Sequence, residues 1–512
     1  MISFFKKYHK WLGIVITIFI LLFAVSGIVL NHRELFSSVD VNRSFLPADY
    51  DYNDWNRAAV KSTERIGEDS ILIYGNIGVW LTDNNLNFFK EFNDGFPKGV
   101  DNHKVCKVFK TTGGDLFAGT LFGLFIYDYE KSEWNKILSP EHNPRIVDIA
   151  QKGDTLFVLS RSFLFKTVDN KSFVKFQLPQ PIDYDNKVGL FKTLWVIHSG
   201  EIYGSFGKLF VDLVGLIFIF LSVSGLIYFI IPFIVKKKKG RKSQKVKRKN
   251  LKKFNSWMLN WHNKIGWITI VFLVLTTFTG MFLRPPLLAI IGEMKVGKIP
   301  YTELDTPNPW FDKLRRIIID DDIIYIGTPE AIYYTDLNFS GKLMKFKNQP
   351  PLSVMGINAF KIIDKENLLV GSFEGLFKWN HITDFVYDEI KQQEYQPDTN
   401  KRIPLGEFLV TGYTDDFEVG DVYFDFDKGA GVIGESLSFV EMPEQIQQQK
   451  MSLWNVALEV HTARMYKFMF GSLYILFIPM VGLIILFVLI SGFIVWFKIH
   501  RKRSKYRRSI SQ

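Results

Sequence analysis

Four apolar runs without a charged residue punctuate the chain: Trp11–Leu30, Leu213–Val235, Ile265–Leu283 and Phe468–Phe497, of 20, 23, 19 and 30 residues. A helix rises about 1.5 Å per residue and a bilayer core is about 30 Å thick, so each run is long enough to cross a membrane. Two long segments of different texture separate the runs. In them, short stretches rich in Phe, Ile, Val and Tyr alternate with Gly, Asp and Asn, the pattern of strands and turns. Four transmembrane helices joined to all-β material are therefore expected. Lys6-Lys7 ahead of the first run imitates the start of a secretory signal. The run exceeds the usual signal core of about 7–15 residues and no small-x-small site follows Leu30, so it is read as a retained helix.

The pattern is written twice. Tyr8-His9-Lys10-Trp11-Leu12-Gly13 is echoed by Trp261-His262-Asn263-Lys264-Ile265-Gly266, and Ser26-Gly27 by Thr279-Gly280, each glycine 18 residues after its histidine. His198-Ser199-Gly200-Glu201-Ile202-Tyr203 is echoed by His461-Thr462-Ala463-Arg464-Met465-Tyr466, and Ser224-Gly225 by Ser491-Gly492. The β segments repeat at a finer period, with apolar strand starts at Leu72, Leu116 and Leu156 and again at Ile324, Leu368 and Phe408, spaced 44 and then 40 in both. The chain is read as a tandem duplication. A period of about 40–45 residues with about four short strands is that of β-propeller blades. Three units per loop close only as a six-bladed ring shared between the loops, which would lock the two membrane halves together. Two separate β-sandwich-like domains are the alternative.

Charge orients the chain. The net charge is +11, yet Met1–Lys10, Lys236–Lys253 and Lys498–Gln512 hold 22 of the 63 Lys and Arg and no Asp or Glu. That leaves 41 basic against 52 acidic residues elsewhere, a net of −11, so no nucleic-acid binder is implied. Basic segments beside spans mark the cytoplasmic side, which places both termini inside and both long loops outside a bacterial inner membrane. The basic loop also suits anionic headgroups of the lipid bilayer. The expected organisation is a first helix over 1–31, an exported β domain over 32–197, and an outer histidine segment with the second helix over 198–235. A basic loop over 236–253 and the third helix over 254–284 follow. A second exported β domain covers 285–455, an outer histidine segment with the fourth helix 456–497, and a basic tail 498–512. The single cysteine, Cys106, excludes an internal disulfide framework and a thiolate metal cluster.

Five of the nine histidines, His9, His32, His198, His262 and His461, sit at the ends of spans. His9 and His262 fall at the cytoplasmic boundary, the other three on the outer side. Two imidazoles from different helices are the usual clamp for the iron of b-type haem. The duplication supplies them in pairs, His9 with His262 and His198 with His461. Antiparallel spans bring Gly225 and Gly492 to the inner level and Gly27 and Gly280 to the outer one, where a missing side chain makes room for a flat macrocycle. The alternatives are interfacial histidines in a belt with Trp11, Trp257 and Trp261, and glycines that only pack helices. His198 lies 15 residues before Leu213, so Gly200, Gly204 and Gly207 are expected to fold this segment back. His32 has Pro285 at its repeat position and is the expected substitute for an outer ligand. Asp212 is an interfacial carboxylate or a functional one. His103, His142 and His381 are isolated in the loops and His500 lies in the basic tail. No catalytic triad, paired zinc spacing, phosphate-binding glycine loop or dinucleotide fingerprint is found, and no catalytic acid or base is expected.

Phe5-Lys6-Lys7-Tyr8-His9-Lys10-Trp11-Leu12-Gly13, with Val25-Ser26-Gly27 and Leu30-Asn31-His32 behind it, resembles the first helix of the PepSY-associated transmembrane family. His198-Ser199-Gly200-Glu201-Ile202-Tyr203-Gly204 followed by Val223-Ser224-Gly225-Leu226 resembles its second signature. Members include bacterial inner-membrane reductases for ferric siderophores, which bind haem b between helices and pass electrons outward. The resemblance implies two haem b groups with His9, His198, His262 and His461 as iron ligands, and a ferric-chelate reductase type of oxidoreductase. Its partners are an exported iron chelate or other electron acceptor and a cytoplasmic or membrane electron donor. The departure is in the loops, where family members commonly carry PepSY domains and this chain carries the blade-like units. A membrane-anchored β-propeller that binds or senses without redox activity is the rival reading, and an assembly factor with merely interfacial histidines is another.

Overall fold

The computed structural model describes residues 2–137, 144–237, 245–397, 406–434 and 439–510; His142 lies outside them. The chain divides into two compact units, one of residues 1–33, 186–305 and 454–512 and one of residues 34–185 and 306–453. The first unit includes residues 186–197 and 285–305. They are helix, turn and one strand pair, Lys187–Gly189 with Lys295–Gly297, and no blade-like sheet.

Four long helices, Ile2–Asn31, Gly204–Lys237, Lys245–Phe282 and Phe477–Ile510, form the first unit. They pack as a closed square in the order first, second, third, fourth and back to first, which puts the first and third on one diagonal. All four are long and apolar enough to cross a membrane. Their outer faces carry exposed Val15, Ile18, Leu216, Val271 and Leu483, as a lipid-facing surface requires. Ser26, Ser224, Thr279 and Ser491 are buried inside, in helices that are otherwise apolar.

Two short helices, Leu190–Ser199 and Leu453–His461, each end at a histidine or one residue past it. The first is capped by Gly200 at φ 80° and followed by the turn Glu201–Tyr203 and by Gly204 at φ 58°. The backbones at Gly200 and Gly207 meet so closely that a Cβ on either would lie about 2 Å from the other's carbonyl oxygen. This is the expected fold-back. The second repeat re-enters by a longer path through Ala463 at φ 60°, the turn Lys467–Phe470, Gly471 at φ 52° and the 3-10 segment Gly471–Leu476. The 30-residue apolar run is therefore not one straight helix. Left-handed geometry at Gly471 breaks it, and Pro479 sits in the first turn of the helix that follows, where its missing N–H costs nothing.

Among the described residues the second unit contains six antiparallel sheets of three to five strands in chain order, over residues 62–91, 105–136, 146–176, 316–345, 357–394 and 410–432, and one two-stranded pair, Asp40–Val41 with Met451–Ser452. Leu72, Leu116, Leu156, Ile324 and Leu368 all lie in the second strand of their sheets and are wholly buried. Phe408 breaks this pattern: it precedes Val410–Thr414, the first strand of the sixth sheet, whose second strand is Val422–Asp425. The second strands are apolar on both faces because both are covered. Leu116 and Ala118 pack toward the first sheet, Phe117 toward the third. The repeated Thr/Ser-x-x-Gly is a side-chain-capped turn: Phe122 N–H donates to Thr120 Oγ1 at 3.1 Å and Glu374 N–H to Ser372 Oγ at 3.1 Å.

Six apolar clusters fill the spaces between successive sheets. Tyr74 with Trp134, Leu124 with Ile146, Phe157 with Ile326, Ile332 with Trp379, and Leu376 with Val410 join each sheet to the next. The sixth cluster joins the last sheet to the first, through Trp55, Ile71, Trp80, Phe424 and Phe439. Sheets from both loops thus share one packed unit, not two separate sandwiches.

Candidate functional site

The duplication brings the span-end histidines together in two pairs. His9 of the first span and His262 of the third meet across the diagonal of the bundle with ring centres 6.3 Å apart. His198 and His461, from the two short helices, face each other at 5.9 Å. His9 and Gly27, the second of which touches the outer pair, are 18 residues apart on one helix, so the pairs lie at levels about 27 Å apart.

Each ring is seated in the same way. His9 Nδ1 is 2.9 Å from the Val488 carbonyl and 3.3 Å from Ser491 Oγ. His262 Nδ1 is 2.8 Å from Ser224 Oγ. His198 Nδ1 is 2.9 Å from the Thr276 carbonyl and 3.4 Å from Thr279 Oγ1. His461 Nδ1 is 3.0 Å from both the Phe23 carbonyl and Ser26 Oγ. The hydroxyls donate their own protons backward into the helix, Ser26 to Leu22, Ser224 to Leu221, Thr279 to Leu275 and Ser491 to Val488. A carbonyl, and a hydroxyl whose proton is spent, can only accept. Every Nδ1 must therefore donate, which leaves every Nε2 with a free lone pair.

The glycine after each hydroxyl residue completes the seat. A Cβ on Gly280 would stand 2.6 Å from Cε1 of His198, on Gly492 2.7 Å from Cε1 of His9, on Gly27 3.2 Å from Cε1 of His461, and on Gly225 3.5 Å from Cε1 of His262. The glycines lie at the levels the antiparallel arrangement predicts, and what fills the space they leave is the edge of an imidazole. Sequence reasoning singled out the glycines and missed the neighbouring hydroxyls as partners, although Ser-Gly and Thr-Gly stand in all four repeats. Every histidine from one half of the duplication is seated by the other half.

His32 is engaged elsewhere. Its Nε2 lies 2.5 Å from Asp212 Oδ2, and Asn31 Nδ2 donates to Oδ1 of the same carboxylate at 2.8 Å. The imidazole of His32 is thus held by a carboxylate, apart from the pair that His198 and His461 form. Asp212 is thereby the partner of two side chains at the end of the first span. His381 is half-buried against Tyr325, Phe346 and Trp379, His103 is half-buried against Phe96, and His500 stacks on Trp496.

The donor set suits an octahedral first-row metal in a macrocycle. An imidazole nitrogen binds such an ion at about 2 Å and its ring centre stands roughly 1 Å farther back, so two rings on opposite sides of one ion lie about 6 Å apart. Both pairs meet that separation. Tyr466 adds a buried hydroxyl with no hydrogen-bond partner among the described residues, beside Phe19 and Phe477 in the half of the bundle that holds His461. Buried hydroxyls are normally satisfied, and this one has a bond to offer to a bound group.

A second polar cluster lies in the β unit. Lys61 Nζ donates to Cys106 Sγ at 3.5 Å, and Arg145 and Arg316 stand close by. Burial raises the Cys106 thiol, but the three cations bring it down to about 7.

The PepSY-associated TM region model matches residues 3–231 and, a second time, residues 190–312. Together the matches cover more than half of the chain. The chain belongs to this family. Its matched part holds His9, His198 and His262 and the seats of His198, His262 and His461, while His461 itself and the seat of His9 in the fourth span lie beyond it. No curated protein matches the chain. Among solved structures it is similar to the extracellular domain of BT4673 from B. thetaiotaomicron, described as a one component system, at 11% identity and a TM-score of 0.35, covering 77% of this chain and 39% of that one. It is also similar to the extracellular domain of the hybrid two component system BT3049 of the same organism, at 13% identity and a TM-score of 0.32, covering 73% and 38%. PorZ of Porphyromonas gingivalis, a surface component of the type-IX secretion system, is similar at 9% identity and a TM-score of 0.28, covering 73% and 31%. The chain thus spans about two fifths or less of the length of these proteins.

Proposed function

We propose that this family member is an inner-membrane electron conduit with two haem b groups, one between His9 and His262 near the cytoplasmic face and one between His198 and His461 at the outer face. It passes electrons from a cytoplasmic or membrane donor to an exported acceptor, a ferric iron chelate. The observation that carries the reading is the fourfold seat. Four histidines in two facing pairs are each held by Nδ1 so that Nε2 is presented as a ligand.

The bound groups would supply one-electron exchange at iron. The protein's own residues fix and isolate them. Donation from Nδ1–H to a carbonyl or hydroxyl oxygen orients each ring, selects the tautomer and raises the basicity of Nε2. Between the two levels, Ile16, Phe19, Phe23, Phe218, Val481 and Ile485 pack together and exclude water from the path. No side chain is required to move a proton, because reducing the metal of a chelate of hard oxygen ligands is enough to weaken its hold.

The sixth sheet packed on the first supports a six-bladed propeller shared by the two loops, on the exported side. Acceptor recognition falls to this unit.

A dithionite-reduced minus oxidised spectrum of the purified protein, with haem quantified per chain, tests the reading. Two low-spin b haems are expected. His9→Ala or His262→Ala loses one, and His198→Ala or His461→Ala loses the other. A colourless wild type, expressed with ample haem, sinks the proposal.

A further inference from the structure

The duplication supplies its own control at the outer end of the bundle. In the first half, Asn31 stands four residues after Gly27 and shares Asp212 with His32. In the second half the residue four after Gly280 is Arg284, a cation where its counterpart is a neutral amide. Among the described residues no carboxylate is bonded to its guanidinium. The segment corresponding to Asp212 follows Tyr466, and no Asp or Glu occurs anywhere after Glu459. Glu459 itself is spent on Arg464, which holds it through Nε at 3.0 Å and through Nη2.

Arg284 is half-buried, and among the described residues no hydrogen bond or ion pair to its guanidinium is found. Burial and the nearby charge of Arg464 both push it below its ordinary value, against weaker pulls from Tyr474 and Glu459. A partly desolvated cation with no anion bonded to it is costly. The place is specific: Arg284 lies one turn beyond the glycine that touches His198, and Arg464 three residues beyond His461.

We propose that Arg284, with Arg464 beside it, is an oxyanion clamp at the outer histidine pair. The guanidinium fork takes a carboxylate or a phosphate through two parallel bonds. The carboxylate would be one carried by the group held between His198 and His461, and this source rests on the haem reading. The phosphate would be that of a lipid headgroup, and this source does not.

The test uses the full-length protein in detergent with Arg284→Gln and Arg284→Lys. If the clamp holds a carboxylate of the outer group, Arg284→Gln lowers the midpoint potential of the centre that His198→Ala removes. The other centre stays where it was, and Arg284→Lys restores most of the shift. If it holds a headgroup, both potentials stay and the phospholipid retained per chain, measured by phosphorus analysis, falls in Arg284→Gln. Unchanged potentials together with unchanged phospholipid overturn the clamp. A chain without haem would refute the histidine reading alone, and the phospholipid measurement would still decide the clamp.

Discussion

Single atoms set the quality of the histidine seats. The room left beside each glycine is unequal, so adding one methyl group should sort the four sites. Gly280→Ala and Gly492→Ala force Cε1 of His198 and His9 to move, whereas Gly225→Ala makes ordinary contact with His262. Reduced spectra of the three variants should show loss of the outer haem, loss of the inner haem and no change, in that order. Equal damage from all three would contradict the seat geometry. In the β unit, removing the nearest cation from Cys106 leaves burial to dominate. Lys61→Met should therefore raise the thiolate titration, followed by ultraviolet absorbance, from about 7 toward or beyond the ordinary thiol value. The histidine positions were legible in the sequence because they repeat. The hydroxyl partners were legible too, but only once it is noticed that a serine inside an apolar helix spends its proton on its own backbone. The engagement of His32 was not legible, since Asp212 is 180 residues away and has no repeat signal.

At the level of elements, the fold-back before the second span carries His198 to its seat. Gly200 has both a positive φ and a backbone against it, so an L side chain fails there twice. Gly200→Ala and Gly207→Ala should each release the outer haem while leaving the inner one, as counted by haem per chain, because the inner pair uses no part of this turn. Loss of both haems would mean that the turn holds the whole bundle. Span positions followed from hydropathy alone. The break at Gly471 did not, because an apolar run carries no mark of where the backbone turns. Strand positions were legible through the Leu and Gly punctuation in five sheets. They failed in the sixth, where Phe408 imitates a second strand while the true second strand, Val422–Asp425, is short and follows a longer connection.

On the scale of the whole chain, the contact between the sixth and first sheets makes the two loops one cooperative body. Phe424 is fully buried in that contact, and Phe424→Ala should cost about 3–5 kcal/mol. Limited proteolysis should then cut residues 62–91 of the first loop as readily as 410–432 of the second; protection of the first loop would show that the two fold independently. Local period implied the shared unit, while the pairing of particular faces came only from packing.

The reciprocal seating of the histidines has a consequence for ancestry and for change. When each copy of a repeat completes the other's sites, neither copy is a functional module, and the arrangement is that of a two-fold homodimer whose subunits have been fused. A chain severed between residues 238 and 244 should accordingly regain both haems when its two pieces are expressed together and hold none when either is expressed alone. Fusion also frees the copies to diverge. In a dimer every substitution appears twice, whereas here an arginine can stand in one copy and an asparagine in the other, so one end of a symmetric scaffold can acquire a polarity its ancestor was forbidden.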